Sequence, residues 1–153
     1  PGILRSLPEP GAHPIALSVN DRECQVFTDS DELNNVIMST EAKFADSGKA
    51  DHLFMAVEND EQLSLLAGVN TGSPLYPDQG ATIVIPVKLG EGQPVRLSGP
   101  GIESEHVIRV SGIHPDFWSL RARLCSYPAG IEIIFTDGAD IVAIPRSTLA
   151  EEI

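Results

Sequence analysis

The chain has 153 residues, a length that corresponds to one ordinary domain rather than two. Ten lysines and arginines stand against 22 aspartates and glutamates, so the formal charge is −12. This excess argues against binding to bulk nucleic acid or to an anionic membrane surface, because both require a cationic protein surface. A small cationic pocket stays compatible with it. No apolar run approaches the roughly 18 residues of a membrane-spanning helix, so we expect a single cytoplasmic domain over residues 1–153.

The first third of the chain predicts an extended arm, a strand and a helix. Residues 1–14 contain four prolines and favour an extended arm, and residues 23–28 favour a strand. Asp29 followed by Glu32 fits a capping box, so we expect a helix over residues 29–46. Its apolar face would comprise Leu33, Val36, Ile37 and Phe44, which recur at helical spacing.

The middle of the chain alternates between strands and a short helix. Residues 52–57 predict a buried strand that begins with a hydrogen-bonded structural histidine. Asn59 and Gln62 repeat the capping pattern and predict a short helix that ends at Gly68. Residues 81–87 are the most β-branched run in the chain and predict a second buried strand.

Two hairpins are predicted from the turn residues. Gly90 and Gly92 predict a turn that folds the preceding strand back onto residues 95–97. Residues 131–135 and 141–144 predict a closing hairpin around an Asp-Gly turn. Strands and helices intermixed in this way indicate a layered α/β fold with a mixed sheet.

One further helix is predicted to contribute a surface contact. Asp116 is the expected N-cap, and Phe117, Leu120 and Leu124 follow at apolar spacing. Phe117 and Trp118 are neighbours on the first turn, so their side chains point about 100° apart. We expect one of them to face the core and the other a neighbouring element or a partner chain, which makes both candidates for an exposed interface contact.

Several common catalytic patterns are missing from the sequence. The chain contains no P-loop, no dinucleotide-binding fingerprint and no nucleophile elbow. Its four histidines do not stand at metal-ligand spacing. Its two cysteines, Cys24 and Cys125, form no C-x-x-C pair and are expected to be free thiols, with a single disulfide as the alternative. None of the three lysines has the surroundings that a Schiff-base lysine needs. We therefore predict no catalytic residue, no metal site and no cofactor.

Two segments are candidates for binding a phosphate group. Residues 144–148 follow the last predicted strand with Arg146, Ser147 and Thr148, and ligands of open α/β sheets lie beyond the carboxyl ends of strands. Residues 96–102 offer Arg96, Ser98 and Gly99 in a glycine-rich loop whose amides could form an anion-binding nest. The alternatives are a solvated strand end and a tight turn.

Three segments in this order resemble the PhnH family of phosphonate metabolism proteins. They read PDQGATIV (77–84), RLSGPGI (96–102), and YPAGIE (127–132) leading to AIPRST (143–148). The resemblance implies a three-layer α/β/α fold related to the pyridoxal-phosphate-dependent transferases but without their cofactor. The opening Pro1-Gly2 resembles the end of the first helix of that family.

The same resemblance implies a role in the carbon–phosphorus lyase core complex. The expected role is that of a non-catalytic subunit, a homodimer bound to three other core subunits. That complex transfers the ribose triphosphate of ATP to an alkylphosphonate, so ATP or a phosphonate is the expected ligand within it. The alternative is a stand-alone enzyme or sensor that binds phosphate, phosphonate or nucleotide through Arg96, Ser98, Arg146, Ser147 and Thr148.

Overall fold

Alternating apolar residues in the central strands supply two cores, one on each face of a seven-stranded sheet. The computed structural model describes all residues from 1 to 153. Its strands are β1 Arg5–Ser6, β2 Gln25–Thr28, β3 Lys43–Phe44, β4 His52–Phe54, β5 Thr82–Pro86, β6 Lys88–Ser98, β7 His106–Ser111, β8 Glu132–Asp137, β9 Asp140–Ile144 and β10 Leu149–Glu152. Its helices are α1 His13–Val19, α2 Asp31–Ser39, α3 Asp60–Ala67 and α4 Phe117–Leu124, with a 3₁₀ turn at Pro77–Gln79.

The main sheet is mixed, as the sequence predicts. Its strand order is β1-β9-β8-β5-β4-β2-β3, and the five strands from β8 to β3 are parallel. The closing hairpin is confirmed, because β9 pairs antiparallel to β8 with Ile133 opposite Ile144. From β2 the chain continues to β3, at one edge of the sheet, whereas from β4 it continues to β5, in the opposite direction across the sheet. The gap between β2 and β4 is therefore the topological switch point of the sheet.

Successive side chains of the central strands enter different cores. Leu53 and Ile83 join a cluster of 22 buried residues with α3, α4 and a second sheet. Phe54 and Val84 join a cluster of seven with α1 and α2. Since neighbouring strand residues point to opposite faces, helices cover both faces of the main sheet. No helix in the structure has the length and apolarity needed to cross a membrane.

The predicted hairpin between residues 81–87 and 95–97 is wrong. β6 pairs instead with β7 and β10 in a separate three-stranded antiparallel sheet. Gly90 and Gly92 do not reverse the chain, because their positive φ angles accommodate a register shift within one long strand. Only Val87 separates β5 from β6, and its N–H donates to the Thr136 carbonyl at 2.9 Å. One strand thus leads directly from the main sheet into the second.

The second helix is shorter than predicted. It ends at Ser39 rather than at residue 46, because Glu41 takes a φ of +63° and turns the chain. Phe44 then lies exposed in the edge strand β3 rather than on an apolar helix face. Asp29 is not the N-cap, which is Ser30. The Asp29 carboxylate instead accepts from the Ala56 N–H and the Gln62 side-chain amide, both at 3.2 Å.

The extended arm includes a helix that the sequence did not predict. Helix α1 begins within the proline-rich segment, with Pro14 in its first turn, where the missing N–H costs nothing. Its residues Ile15 and Ala16 are buried.

The second predicted cap, at the start of α3, is confirmed, since the Asn59 carboxamide accepts from the Gln62 N–H at 3.0 Å. Both cysteines are free, as expected.

Phe117 and Trp118 both lie in the core, so the expectation that one of them is exposed is wrong. Phe117 is 0% exposed and Trp118 is 6% exposed. Their rings meet edge to face with centroids 5.0 Å apart, and each lies 5.9 Å from the ring of Phe135. The second sheet covers the side of α4 that the sequence left open, so neither ring is available to a partner.

Candidate functional site

Two clefts lie at opposite edges of the main sheet. The carboxyl-edge cleft has a volume of about 690 Å³ and is built where β2, β4, β5 and β8 end. It includes the switch point, which is where an α/β fold of this kind places ligands. The amino-edge cleft has a volume of about 490 Å³ and lies near the start of β8.

The carboxyl-edge cleft is acidic. Asp29, Glu32, Glu58 and Asp137 line it, and Lys88 is the one lysine or arginine among its lining residues. The Lys88 ammonium lies 3.0 Å from the Asp137 carboxylate and is already paired. The Leu89 N–H, the larger cause, and Lys88 together hold the pKa of Asp137 below its ordinary value. This lining disfavours a phosphate or phosphonate group by charge repulsion.

Residues 144–148, which were predicted to bind a ligand beyond the end of a strand, lie at the amino edge of the main sheet. β9 runs antiparallel to β8, so Ile144 lies opposite Ile133, near the start of β8. The prediction applied to β9 the rule that ligands lie beyond the carboxyl ends of parallel strands, although the predicted hairpin makes β9 antiparallel, so residues 144–148 lie at the amino edge of the parallel strands. These residues line the amino-edge cleft instead.

Four of the six predicted ligand-binding residues come together in the amino-edge cleft. They are Gly99, Arg146, Ser147 and Thr148. Arg96 and Ser98 are not among the lining residues: Arg96 pairs with Glu105 at 3.1 Å and with Glu151 at 3.9 Å. Ser98 ends β6, opposite Leu149.

Gly99 brings two segments of the cleft wall into contact. Its φ is +125°, and a Cβ at this position would lie 2.8 Å from the Ser147 carbonyl oxygen. The loop closes as a tight turn, in which the Ile102 N–H donates to the Gly99 carbonyl at 3.1 Å. A side chain at position 99 would therefore push the loop away from Ser147.

Arg121 is the residue of this cleft that the sequence did not reveal. It is only 2% exposed, and its guanidinium donates to the Thr148 carbonyl at 3.0 Å and to the Pro145 carbonyl at 2.8 Å. Burial, the largest cause, lowers the pKa of Arg121 from its ordinary value. One signal was available, because Arg121 follows Phe117 by four residues and precedes Leu124 by three. It therefore occupies the apolar face of α4.

Arg146 is held by a carboxylate, whereas Arg121 is not. Glu132 accepts from Arg146 Nε at 2.5 Å and from the Arg146 backbone N–H at 3.0 Å. Arg121 has carbonyl partners only and forms no ion pair. The positive charge of Arg121 is thus the one in this cleft that no bonded carboxylate balances.

Three buried polar atoms of the cleft residues have no hydrogen-bond partner. They are Arg121 Nε, Arg146 Nη1 and Thr148 Oγ1, out of five such atoms in the whole chain. Buried donors are normally paired, because an unpaired one loses its hydration without compensation. Their concentration here distinguishes the amino-edge cleft from the rest of the molecule.

The histidines lie outside the amino-edge cleft, and two of the four form structural hydrogen bonds. His52 Nδ1 lies 2.7 Å from the Asn20 carboxamide oxygen, as expected of a structural histidine. His114 Nδ1 accepts from the Asp116 N–H at 3.1 Å, and its Nε2 lies 3.0 Å from Asp60. No group of three or more His, Cys, Asp or Glu side chains is arranged to hold a metal ion.

The amino-edge cleft offers unpaired hydrogen-bond donors and positively charged side chains, and this combination is typical of anion-binding sites.

Comparison with known proteins identifies the family. Residues 3–151 match the model of the bacterial phosphonate metabolism protein (PhnH) family. The chain belongs to the PhnH family. The match includes the segments around Arg96 and Arg146 on which the sequence resemblance was based.

Two curated relatives are similar in sequence to about half of this chain. A Stutzerimonas stutzeri protein that carries the name of a C-P lyase subunit, HtxG, is 43% identical over 79 residues, which cover 50% of this chain and 40% of that protein. The alpha-D-ribose 1-methylphosphonate 5-triphosphate synthase subunit PhnH of Rhizobium meliloti (strain 1021) is 35% identical over 82 residues, or 52% of this chain and 41% of that protein. The chain thus spans about two-fifths of the length of these relatives.

Proposed function

We propose that this chain is a non-catalytic, substrate-organising subunit of a carbon–phosphorus lyase complex. The observation that carries the proposal is the amino-edge cleft, whose lining includes Arg121, Arg146, Thr148 and one thiol, Cys125, but no histidine. Membership of the PhnH family and the names of the two relatives supply the biological setting.

In this proposal the subunit supports the transfer of the ribose triphosphate of ATP to an alkylphosphonate and does not catalyse it alone. It works in the cytoplasm as a homodimer with the other core subunits. Its layered fold derives from that of the pyridoxal-phosphate-dependent transferases without the cofactor. The exposure of all three lysines, Lys43, Lys49 and Lys88, supports the last point, because a Schiff-base lysine must be desolvated.

The amino edge also offers an apolar surface for a partner subunit. Tyr127 is 79% exposed and Leu149 is 65% exposed, and both line the cleft. Exposed large apolar side chains beside a polar cleft are typical of protein contact surfaces. We therefore place the contact with other subunits around this cleft.

Co-expression with the other core subunits tests the proposal. The tagged chain should elute with them as one stoichiometric assembly of defined native mass. The pair Tyr127→Ser and Leu149→Ser should disrupt that assembly. The control pair Leu17→Ser and Met38→Ser replaces residues of similar exposure on α1 and α2, which cover the other face of the main sheet, and should leave it intact. Elution of the wild-type chain alone would overturn the proposal and favour the stand-alone binding protein.

A further inference from the structure

The buried charge of Arg121 indicates what the amino-edge cleft binds. A buried guanidinium without a bonded carboxylate is costly, because its hydration is lost and Glu132 acts on it only at a distance, without a hydrogen bond. The nearest carboxylate that could serve, Glu132, already binds Arg146 with both oxygens. Glu151 also lines the cleft, but its side chain is exposed at the rim and lies 3.9 Å from Arg96.

We propose that the amino-edge cleft binds a tetrahedral phosphorus oxyanion, a phosphate or phosphonate group, with Arg121 as its buried positive charge. The unpaired Arg121 Nε, Arg146 Nη1 and Thr148 Oγ1 supply three donors from three residues. Such a set suits a group with three or more oxygens better than a planar carboxylate. Guanidinium donors are well matched to phosphate oxygens in geometry and charge.

The size and position of the cleft agree with this ligand class. Its volume of about 490 Å³ lies within the range of small-molecule pockets. The half-buried Ser147 adds a hydroxyl at its wall. The larger carboxyl-edge cleft is lined by four carboxylates and is unsuited to the same ligand. A positive pocket matters particularly here, because the net charge of −12 repels anions from the rest of the surface.

This inference deepens the proposed function and rests on it only for the identity of the physiological ligand. Free alkylphosphonate and the triphosphate of a nucleotide present the same oxyanion chemistry. Ligand binding by the isolated chain and assembly with other subunits are measured independently. A failure of the binding inference can therefore be distinguished from a failure of the proposed subunit function.

The test is calorimetric titration of the isolated chain with methylphosphonate, inorganic phosphate and ATP in separate arms, with sodium chloride at matched ionic strength as the control. Saturable binding should occur in at least one phosphorus arm, and the strongest arm identifies the source of the oxyanion. Thr148→Val removes the hydroxyl but keeps the carbonyl that Arg121 uses. We expect it to weaken binding roughly tenfold, the loss of one hydrogen bond to a charged group.

Arg121→Met should abolish binding, whereas Arg123→Met, an exposed arginine on the same helix, should leave it unchanged. If Arg121→Met does not fold, Thr148→Val and the Arg123 control decide the question, with thermal melting to establish that both are folded. No saturable binding at about 10 mM in any phosphorus arm, an affinity too weak to matter, would overturn the proposal. Equal binding by a folded Arg121→Met chain would overturn it as well.

Discussion

Arg121 Nη1 donates to the Thr148 carbonyl oxygen at 3.0 Å, across 27 residues of sequence. Together with the bond from Nη2 to the Pro145 carbonyl at 2.8 Å, this contact fixes the turn between β9 and β10 to α4. The turn joins the main sheet to the second sheet, so a single side chain holds the junction of the two.

We expect Arg121→Met to lower the free energy of unfolding by about 2 kcal/mol, because it leaves the Thr148 carbonyl without its donor and removes one of the two donors to the Pro145 carbonyl. Urea denaturation followed by circular dichroism measures the change. Arg123→Met is the matched control and should change stability by less than about 0.5 kcal/mol, as exposed sites do. Equal effects of the two substitutions would show that the buried bonds do no more than offset the cost of burying the guanidinium.

Gly99→Ala should destabilise the chain more than Gly90→Ala. Both glycines have positive φ angles, so both substitutions carry a conformational cost of about 1 kcal/mol. Only at Gly99 would the new Cβ meet a backbone atom, the Ser147 carbonyl oxygen, whereas Gly90 has nothing within 4 Å. Denaturant midpoints of the two variants provide the comparison. Indistinguishable midpoints would mean that the loop moves away from Ser147 without cost.

The buried aromatic cluster gives an optical prediction. Trp118 is the only tryptophan of the chain and packs against Phe117 and Phe135. Its fluorescence emission should be blue-shifted in the folded protein and move to the red on unfolding. An emission maximum in the folded state typical of exposed tryptophan would contradict the burial.

Phe135→Ala should lower the free energy of unfolding by about 3–5 kcal/mol, since it leaves a cavity in the core.

The free energy of unfolding should fall as the pH is lowered below about 6.5. Burial, the largest cause, holds the pKa of His52 below its ordinary value of 6.5, while Asp51 and Asp21 act in the opposite direction. The unfolded chain takes up a proton near pH 6.5 that the folded chain takes up only at lower pH, so stability is lost across that window.

A series of denaturation curves between pH 7.5 and pH 5 measures this dependence. His52→Gln keeps a polar side chain without the titration and should show a shallower decline. His106→Gln, an exposed histidine on β7, should follow the wild-type curve. A decline that is unchanged in His52→Gln would assign the pH dependence to other groups.

The parts of the fold that depend on local sequence were predicted well. The Asn59 cap and the β8–β9 hairpin are confirmed, because a capping side chain and an Asp-Gly turn act within a few residues. The hairpin at Gly90 failed because glycines with positive φ permit either a reversal or a register shift, and only tertiary pairing decides between them.

Sequence reasoning named four residues of the amino-edge cleft but associated them with the wrong edge of the sheet. Arg146 and Thr148 lie at the amino edge because the predicted β8–β9 hairpin makes β9 antiparallel to the parallel strands. Arg121 was missed because a charged residue on an apolar helix face is usually exposed. Its burial depends on carbonyl partners in a distant turn, which no local pattern reveals.

The single-residue link at Val87 has a consequence for how the molecule deforms. Only one residue, Val87, connects β5 to β6. The two sheets therefore cannot move apart without breaking the hydrogen bond from the Val87 N–H to the Thr136 carbonyl. The amino-edge cleft takes Gly99 and Leu149 from around the second sheet and Arg146 from the end of the main one. Its walls are therefore mechanically coupled, so the shape of the cleft is fixed by the fold and the whole chain should unfold in one cooperative transition.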